Sequence, residues 1–474
     1  MTDYSVLQGK TAAYITLGCK LNFAETATSA RRLARLGVRT AAKDEPADIC
    51  IVNTCSVTDV ADRKCRQTIH RMVRQHPGAL VVVTGCYAQL QRAALSSMPG
   101  VGLVVGNDDK GQMVERIALA IQARADHAAA DNDATAHAEH ADTPPAKTGH
   151  SPSRRLPSAP FVAACSRGNR TRYFLKVQDG CSYFCTYCTI PFARGTSRNP
   201  TIASLVEQAR QAAAEGGREI VLTGVNIGDF GRTTGETFLD LVRALDAVGD
   251  IDRYRISSIE PDLLTDELIR FCAESRAFMP HFHIPLQSGS DEVLRLMHRR
   301  YDTQLFAAKV ELIRRLMPDA FIGVDVMAGM RGETQQLFEQ SCNFIAGLDI
   351  SRLHVFPYSE RPGTAALAIT PVVSPADKKQ RCSRLLKLSD EKCHNFYTRH
   401  TGATAEVLIE HAVRGRLMHG FTRNYLRVEL PADTVARDNT LVHVRLGNFN
   451  AAHTALTATI VNDEHEARLP IANT

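Results

Sequence analysis

Gly180-Cys181-Ser182-Tyr183-Phe184-Cys185-Thr186-Tyr187-Cys188 is the stretch that decides the fold of this 474-residue chain. Its three cysteines follow a short apolar run, Tyr173-Phe174-Leu175-Lys176-Val177, that predicts a β-strand. Iron–sulfur clusters are normally held by four thiolates, so three cysteines on one loop would leave one iron of a four-iron cluster without a protein ligand. Zinc sites instead pair two C-x2-C units, and no second pair is present here. The spacing C-x3-C-x2-C therefore favours a cluster with an open coordination position over buried thiols or a zinc loop.

This loop resembles the signature of radical S-adenosylmethionine enzymes, in which an aromatic residue, here Tyr187, precedes the last cysteine. Its flanks, Leu175–Cys181 and Pro191–Gly195, are similar to the methylthiotransferase branch of that superfamily. The resemblance implies that S-adenosylmethionine chelates the open iron of a [4Fe-4S] cluster, and that one electron cleaves its sulfonium to a 5′-deoxyadenosyl radical. The cluster ligands that the resemblance implies are Cys181, Cys185 and Cys188, with Tyr187 beside the cofactor.

Composition narrows the class of protein and its location. Thirteen cysteines, an odd number in a chain of this length, argue against a disulfide framework. Free thiols fit a reducing cytoplasm. No apolar run approaches the ~20 residues that a membrane helix needs, and the N-terminus lacks a signal-peptide pattern, so no membrane association is expected. The net charge of +5 permits a nucleic-acid partner without demanding one.

Residues 1–122 predict a parallel α/β domain, because continuous apolar runs alternate with helical patterns. The predicted strands are Ala12–Leu17, Asp48–Asn53 and Leu80–Thr84, and the predicted helices are Phe23–Leu36, Val57–Gln75 and Ala88–Met98. Cys19, Cys55 and Cys86 each lie just past one of these strands. Because ligands bind outside the carboxyl ends of such strands, the three thiols are expected to converge on a second cluster. Cys50 and Cys65 lie inside a strand and a helix, where ordinary packing is the better interpretation.

The flanks of Cys19, Cys55 and Cys86 resemble the three cluster-ligand motifs of the methylthiotransferase N-terminal domain. Within that family, Gly18-Cys19-Lys20 followed by Asn22, and Gly85-Cys86-Tyr87-Ala88-Gln89, are most similar to the threonylcarbamoyladenosine tRNA type. The isopentenyladenosine and ribosomal-protein types usually carry Asp-Ser-Glu shortly after the first cysteine. This chain has Ala24-Glu25-Thr26 at that place.

Residues 123–168 are predicted to form a flexible linker, since they are rich in Ala, Asp, His, Pro and Ser and lack apolar periodicity. The irregular spacing of its histidines favours solvated side chains over a metal site. These histidines are His127, His137, His140 and His150. Cys165, near the end of the linker, is predicted to have no ligand role.

Residues 169–397 predict a partial parallel barrel of six βα units, with chemistry at the carboxyl ends of its strands. After the strand before Cys181, the predicted strands are Glu219–Thr223, Tyr254–Ser258, His281–Leu286, Phe321–Val326 and Arg352–Phe356. The predicted helices are Ile202–Ala214, Phe238–Val248, Thr265–Glu274, Gln304–Leu316 and Thr334–Gly347.

Polar or small residues at these strand ends are the candidates for binding S-adenosylmethionine. They are Gly224, Asn226, Glu260, Gln287, Ser288 and Asp325. For any one of them a helix-capping or turn role stays open. The family's usual Gly-Phe-Pro-Gly-Glu-Thr is replaced here by Gly329-Met330-Arg331-Gly332-Glu333-Thr334, which changes the rigidity expected of that loop.

Residues 398–474 predict a small antiparallel barrel, because five short strands are separated by polar turns. The strands are Thr404–Glu410, Arg416–Thr422, Leu426–Leu430, Leu441–Leu446 and Ala455–Val461. The segment resembles the TRAM domain, an RNA-binding module. Basic and aromatic residues suited to RNA contact are Arg414, Arg416, Arg423, Tyr425 and Arg427. A plain solvated barrel face is the alternative.

The sequence therefore predicts a radical S-adenosylmethionine enzyme with two [4Fe-4S] clusters that methylthiolates N6-threonylcarbamoyladenosine beside the tRNA anticodon. The resemblance implies that one S-adenosylmethionine methylates sulfur and another yields the radical that activates adenine C2. The expected partners are the anticodon stem-loop and a flavodoxin- or ferredoxin-type reductant, and a monomer is expected. One alternative is the same chemistry on isopentenyladenosine or a ribosomal protein. The other is a non-catalytic two-cluster protein that binds RNA or carries electrons.

Overall fold

The chain folds into two units that alternate along the sequence. A computed structural model describes residues 2–42, 44–133, 159–166, 171–410, 417–431 and 438–461. The first unit comprises Met1–Ser166, Asp179–Arg198 and Ser359–Leu367. The second comprises Arg167–Gln178, Asn199–Tyr358 and Ala368–Thr474. Among the described residues, no helix has the length and apolar character that crossing a bilayer requires.

The first unit is built on a five-stranded parallel sheet in the order β2-β1-β3-β4-β5. Its strands are β1 Thr11–Thr16, β2 Arg39–Thr40, β3 Ile49–Thr54, β4 Leu80–Gly85 and β5 Val101–Val105. Its helices are α1 Lys20–Ala34, α2 Asp59–Gln75, α3 Cys86–Leu90, α4 Arg92–Ser96, α5 Met113–Asp133 and α6 Ile190–Arg194. Every residue of β3 and β4 is buried, as expected of central strands covered on both faces. The predicted parallel α/β class is confirmed.

Three local features of this unit differ from the prediction. The short β2 and the half-exposed β5 were not predicted. The helix predicted over Ala88–Met98 is divided into α3 and α4, because the backbone of Gln91 (φ −128°, ψ 36°) leaves the helical region. α5 continues to Asp133, past the predicted domain end at residue 122, because its alanine-rich end favours helix.

The predicted linker is also shorter at its far end. Cys165 is buried, and its backbone N–H donates to Thr28 Oγ1 at 3.1 Å while Arg31 Nη2 donates to its carbonyl at 2.6 Å. Residues 159–166 therefore pack in the first unit. Residues 134–158, with His137, His140 and His150, and the side chain of His127 lie outside the described part of the chain.

The second unit contains the predicted partial barrel. Its six parallel strands form two three-stranded sheets, which single parallel bridges at Tyr254–Phe278 and Ser258–His283 join. The strands are β6 Arg172–Lys176, β7 Glu219–Thr223, β8 Arg253–Ile256, β9 His281–Gln287, β10 Phe321–Ala328 and β11 Arg352–Pro357. The helices are α7 Ile202–Ala214, α8 Phe238–Asp246, α9 Asp266–Glu274, α10 Asp291–Leu296, α11 Thr303–Leu316, α12 Gln335–Gly347 and α13 Pro375–Thr398. All six predicted strands are confirmed.

A closed five-stranded barrel follows α13, in the order β12-β13-β14-β16-β15. Its strands are β12 Thr404–Ile409, β13 Leu417–Thr422, β14 Arg427–Pro431, β15 Leu441–Phe449 and β16 Leu456–Ile460. Four pairings are antiparallel and one, between β14 and β16, is parallel, so the predicted small antiparallel barrel is confirmed with one parallel pairing. Five strands cannot alternate in direction all the way round a closed ring, which is why one pairing is parallel.

The five-stranded barrel packs on the first residues of the central strands. Arg253 Nη1 donates to Phe421 O at 2.9 Å, and Arg255 Nη2 donates to Thr422 O at 2.9 Å. Both arginines are 1% exposed, and Glu219, the first residue of β7, is fully buried beside them. The two barrels are therefore joined by a buried, charged layer, and the C-terminal barrel is fixed in place.

Tyr425 belongs to this layer, and the geometry contradicts its predicted role in stacking on RNA bases. Its ring centroid lies 4.4 Å from that of His281 and 4.7 Å from that of Phe421. Its hydroxyl accepts from Arg172 Nη1 at 2.9 Å. Of the other predicted RNA contacts, Arg423 is exposed and Arg427 is half-buried. Arg414 and Arg416 lie outside the described residues.

Candidate cluster and cofactor site

Three cysteines of the first unit follow three adjacent strands. Cys19 precedes α1 as its N-cap, Cys55 directly follows β3, and Cys86 begins α3 directly after β4. Since β1, β3 and β4 are neighbours in a parallel sheet, their carboxyl ends lie on one edge, which is where such sheets bind ligands. The predicted strand-end placement of all three thiols is therefore seen in the structure.

Two glycines allow the loops that carry these cysteines to approach each other closely. Gly18 has φ +101°, and a Cβ built on it would lie 2.7 Å from Cys55 Cβ. Gly85 has φ +98°, and a Cβ there would lie 2.3 Å from Thr54 O. Any other residue would force the loops apart, so the sequence Gly-Cys at both places brings the cysteine loops close together.

The thiols influence one another electrostatically. Burial, together with the neighbouring Cys86 and Cys19, raises the pKa of Cys55 to about 12. Burial likewise raises the pKa of Cys19, whereas Arg194 lowers it. Cys19 is exposed to solvent, whereas Cys86 is buried and Cys55 is half-buried. Cationic iron would favour the thiolate forms that burial disfavours.

The donor set fits a cluster better than a single ion. No three Cys, His, Asp or Glu side chains of the described chain close on one metal ion. Thiolates of a four-iron cluster each bind a different iron, so they stand farther apart than the ligands of one ion. Buried polar atoms without a hydrogen-bond partner lie on neighbouring residues. They are Asn53 Oδ1, Thr84 Oγ1 and Asn107 Oδ1.

The two other cysteines of this region behave as predicted. Cys50 lies inside β3 and is fully buried. Cys65 lies in α2, and its thiol donates to the carbonyl of Cys55 at 3.3 Å. Its sulfur is thus turned to the backbone of the cysteine loop, and the triad remains Cys19, Cys55 and Cys86.

The second cysteine loop closes on itself within the same unit. The N–H of Cys181 donates to Gly195 O at 3.0 Å, and the N–H of Ile190, the first residue of α6, lies 3.4 Å from Cys188 Sγ. A Cβ on Gly180 would lie 2.0 Å from Thr196 O, so only glycine fits there. Tyr187 is half-buried between the last two cysteines. The loop therefore presents its three thiols from a fixed backbone.

Sequence reasoning missed the charged side chains that join the two triads. Arg194 is 2% exposed and pairs with Glu25 of α1 and with Asp179 before Cys181. Arg361 donates to Ser56 Oγ at 2.8 Å and to Asp62 Oδ2 at 2.6 Å. Arg194 lies in the stretch Pro191–Gly195, which the sequence analysis identified as similar to the family. The distant acidic partners of both arginines gave no local signal.

Among the candidate residues at the strand ends of the second unit, Asn226 is the one whose side-chain polar atoms are best able to bind a ligand. It is buried, and neither its Nδ2 nor its Oδ1 has a hydrogen-bond partner. Gly224 serves close packing, because a Cβ there would lie 2.9 Å from Gln178 O. Gln287 has φ +66° and is half-buried, while Ser288 is fully buried with its hydroxyl accepting from Ser290 N.

The two predicted acidic contacts already have basic partners. Glu260 is paired with Arg299, and burial raises its pKa to about 7 even though Arg299 lowers it. Asp325 Oδ1 lies 2.7 Å from His283 Nε2, and the His283 ring stacks on that of His354. All six candidates stay predictions as cofactor contacts, with Asn226 the best supported.

We expect Gly85→Ala to destabilise the first unit and to lower the iron content of the protein. The new Cβ meets Thr54 O in a backbone conformation that only glycine adopts readily, so the cost should exceed about 3 kcal/mol. Thermal unfolding of the apo-protein and iron content would measure this. Gly78→Ala is the matched control, because Gly78 also has positive φ but nothing lies within 4 Å of its added Cβ. Equal losses in both variants would contradict the packing argument.

Comparison with known proteins gives two family models that match parts of this chain and several relatives that match most of its length. The model described as "Uncharacterized protein family UPF0004" matches residues 11–106, and the "Radical SAM superfamily" model matches residues 175–345. Threonylcarbamoyladenosine tRNA methylthiotransferase MtaB of Bacillus subtilis (strain 168) is 36% identical, covering 88% of this chain and 90% of its own. The protein of the same name from Aquifex aeolicus is 32% identical, covering 88% and 96%. tRNA-2-methylthio-N(6)-dimethylallyladenosine synthase of Novosphingobium aromaticivorans is 33% identical, covering 85% and 87%.

Proposed function

We propose that this chain, which belongs to the radical S-adenosylmethionine tRNA methylthiotransferase family, modifies N6-threonylcarbamoyladenosine beside the tRNA anticodon. The product of the reaction is the 2-methylthio derivative. The observation that carries this is the presence of two cysteine triads within one folded unit, one at the carboxyl edge of the sheet and one on the closed loop after β6. Each triad supplies three thiols for a four-iron cluster. An electron carrier gains nothing from two open irons, so the pattern favours an enzyme.

Each cysteine triad would serve a different part of the reaction, one the formation of the radical and the other the supply of sulfur. When bound, the cluster and S-adenosylmethionine supply a radical strong enough for an aromatic C–H bond, which ordinary acid–base catalysis leaves inert. Cys181, Cys185 and Cys188 would hold that cluster, and the buried amide of Asn226 offers both a donor and an acceptor to S-adenosylmethionine. Cys19, Cys55 and Cys86 would hold the second cluster, which carries the sulfur to be inserted.

The choice of substrate rests on the start of α1, just after the first cysteine. This chain has Ala24-Glu25-Thr26 where the isopentenyladenosine and ribosomal-protein types usually carry Asp-Ser-Glu. In the structure Glu25 pairs with Arg194 and Lys110, so this part of the helix belongs to the framework of the site. The relatives at 36% and 32% identity carry the threonylcarbamoyladenosine name, which supports the same acceptor here.

The proposal includes the remaining partners. A flavodoxin- or ferredoxin-type protein would deliver the electron, and the tRNA would be modified by a monomer in the cytoplasm, where thiols stay reduced. The exposed Arg423 and half-buried Arg427 of the C-terminal barrel are suited to phosphate contact.

Mass spectrometry of tRNA nucleosides from a strain that lacks the gene tests the proposal. We expect 2-methylthio-N6-threonylcarbamoyladenosine to disappear, its unmethylthiolated precursor to accumulate, and 2-methylthio-isopentenyladenosine to be unchanged. A plasmid copy of the gene should restore the product. Retention of the threonylcarbamoyl product would contradict the proposed acceptor, and loss of the isopentenyl product would identify the other one.

A further inference from the structure

A buried guanidinium lies between the two cysteine triads of the first unit. Arg194 Nη1 donates to Glu25 Oε1 at 3.1 Å and to Asp179 Oδ1 at 3.0 Å, and its Nη2 donates to Asn22 Oδ1 at 2.7 Å. Asn22 and Glu25 lie in the first turns of α1, directly after Cys19. Asp179 lies two residues before Cys181. One side chain thus ties the loop of one triad to the loop of the other.

Lys110 and Asn107 extend this network to Cys86. Lys110 Nζ pairs with Glu25 Oε2 at 2.5 Å. Asn107 Nδ2 donates to Ala193 O at 2.7 Å and lies 3.9 Å from Cys86 Sγ. The loops of Cys19 and Cys86 therefore reach the segment that contains Arg194, either directly or through one intermediate residue.

The network carries a surplus of positive charge. Among the residues that the structure describes, its basic side chains are Arg194, Lys110 and Arg198 and its carboxylates are Glu25 and Asp179, so three basic groups face two acidic ones. A buried excess charge is costly unless an opposite charge lies nearby. With a cluster bound, the thiolates of Cys86 and Cys19 would be that opposite charge, and both groups favour the charged form of Arg194, whose pKa is held well above its usual value.

We propose that Arg194 is a positioning residue that holds the Cys181 loop against the first triad, and that its charge stabilises the reduced form of a cluster on Cys19, Cys55 and Cys86. This rests on the proposed function, which places a cluster there. Reduction adds negative charge to a cluster, and reduction potentials depend on the surrounding charge and hydrogen bonds. A fixed cation in a low-dielectric interior therefore makes the cluster easier to reduce.

The test is a redox titration followed by electron paramagnetic resonance. The parent protein is the full chain with Cys181, Cys185 and Cys188 replaced by alanine, so that only the first triad holds iron. Arg194→Gln should shift the midpoint to a more negative potential by at least 59 mV, which is a tenfold change in the reduced-to-oxidised ratio of a one-electron couple. Arg194→Lys, which keeps the charge, should retain a midpoint near that of the parent.

Glu25→Gln gives a second test with the opposite sign. It breaks the same network as Arg194→Gln but removes a negative charge, so the midpoint should become more positive. A purely structural role predicts the same loss of packing in both variants and no reversal of sign. Arg198→Gln gives a graded comparison, because it also removes a positive charge beside Asp179, but in the described part of the chain Arg198 has no ion pair with Glu25 as Arg194 does, so its midpoint should become more negative by less than that of Arg194→Gln.

The outcomes distinguish a failure of the role inferred for Arg194 from a failure of the proposed function. An iron-loaded parent whose midpoint is unmoved in Arg194→Gln, or moved in the same direction by Glu25→Gln, overturns the role of Arg194. If Arg194→Gln loses its iron, the signs measured in Glu25→Gln and Arg194→Lys decide. A parent that binds no iron at the first triad contradicts the proposed function itself.

Discussion

Replacing Cys19, Cys55 and Cys86 together with alanine is expected to abolish methylthiolation and to lower the iron content from about eight atoms per chain to about four. The three thiols follow three adjacent parallel strands at one edge of the sheet, where a ligand would bind. The loop of Cys181 is closed by its own backbone hydrogen bonds. Reductive cleavage of S-adenosylmethionine should therefore continue in this variant while no sulfur is inserted.

Two control variants sharpen this result. Cys50→Ala removes a thiol that is buried inside β3 near the amino end of the strand, and it should keep the full iron content and activity. Replacing Cys181, Cys185 and Cys188 should also leave about four irons but eliminate cleavage of S-adenosylmethionine. Iron analysis and assay of 5′-deoxyadenosine and of modified tRNA distinguish the variants. Methylthiolation that persists without the first triad would contradict its role as sulfur carrier.

The parts of the site that the sequence could predict are those encoded locally. A cysteine directly after an apolar run falls at a strand end, and adjacent parallel strands bring such ends together. For that reason Cys19, Cys55 and Cys86 were identified without knowledge of the fold. The glycines before Cys19 and Cys86 reinforce the pattern, because their positive φ angles are needed where the loops meet.

Long-range pairing of charges could not be predicted in this way. Arg194 pairs with Glu25, from which it is separated by 169 residues in the sequence, and Arg361 pairs with Asp62 across a separation of 299 residues. A single arginine in the sequence carries no sign of which carboxylate it will meet. The same limit explains the wrong prediction for Tyr425. The sequence indicated a residue that stacks on RNA bases, but in the structure its side chain contacts His281, Phe421 and Arg172.

The charged layer between the two barrels of the second unit is the other place where such pairing decides stability. Glu219 is fully buried, and Arg255 Nε lies 3.0 Å from its Oε1 as an ion pair with a poor hydrogen-bond angle. Burial alone would raise the pKa of Glu219, but Arg255, Arg172 and Arg253 hold it below its usual value. One carboxylate thus balances several buried guanidiniums that also bind the carbonyls of the C-terminal barrel.

Glu219→Gln is therefore expected to destabilise the contact between the barrels by about 3–5 kcal/mol at pH 7, the usual cost of removing one partner from a buried ion pair. Because the folded-state pKa of Glu219 is lowered, its contribution is present above the unfolded value of about 4.3 and is lost as pH falls through the folded value. The difference from the parent should shrink accordingly in acid.

Hydrogen exchange of peptides that cover β7 and β14, read by mass spectrometry, measures this loss where it occurs. Opening of both strands should become much more frequent in Glu219→Gln, since Arg255 loses its paired carboxylate while Arg253 and Arg172 keep Glu406 and Glu410. Glu339→Gln is the matched control, because Glu339 also pairs with an arginine, Arg384, but both side chains are exposed to solvent. If exchange at β14 is equally slow in both variants, the C-terminal barrel is held by its apolar core alone, through Phe321, Phe396 and Leu426, and the buried charges add nothing.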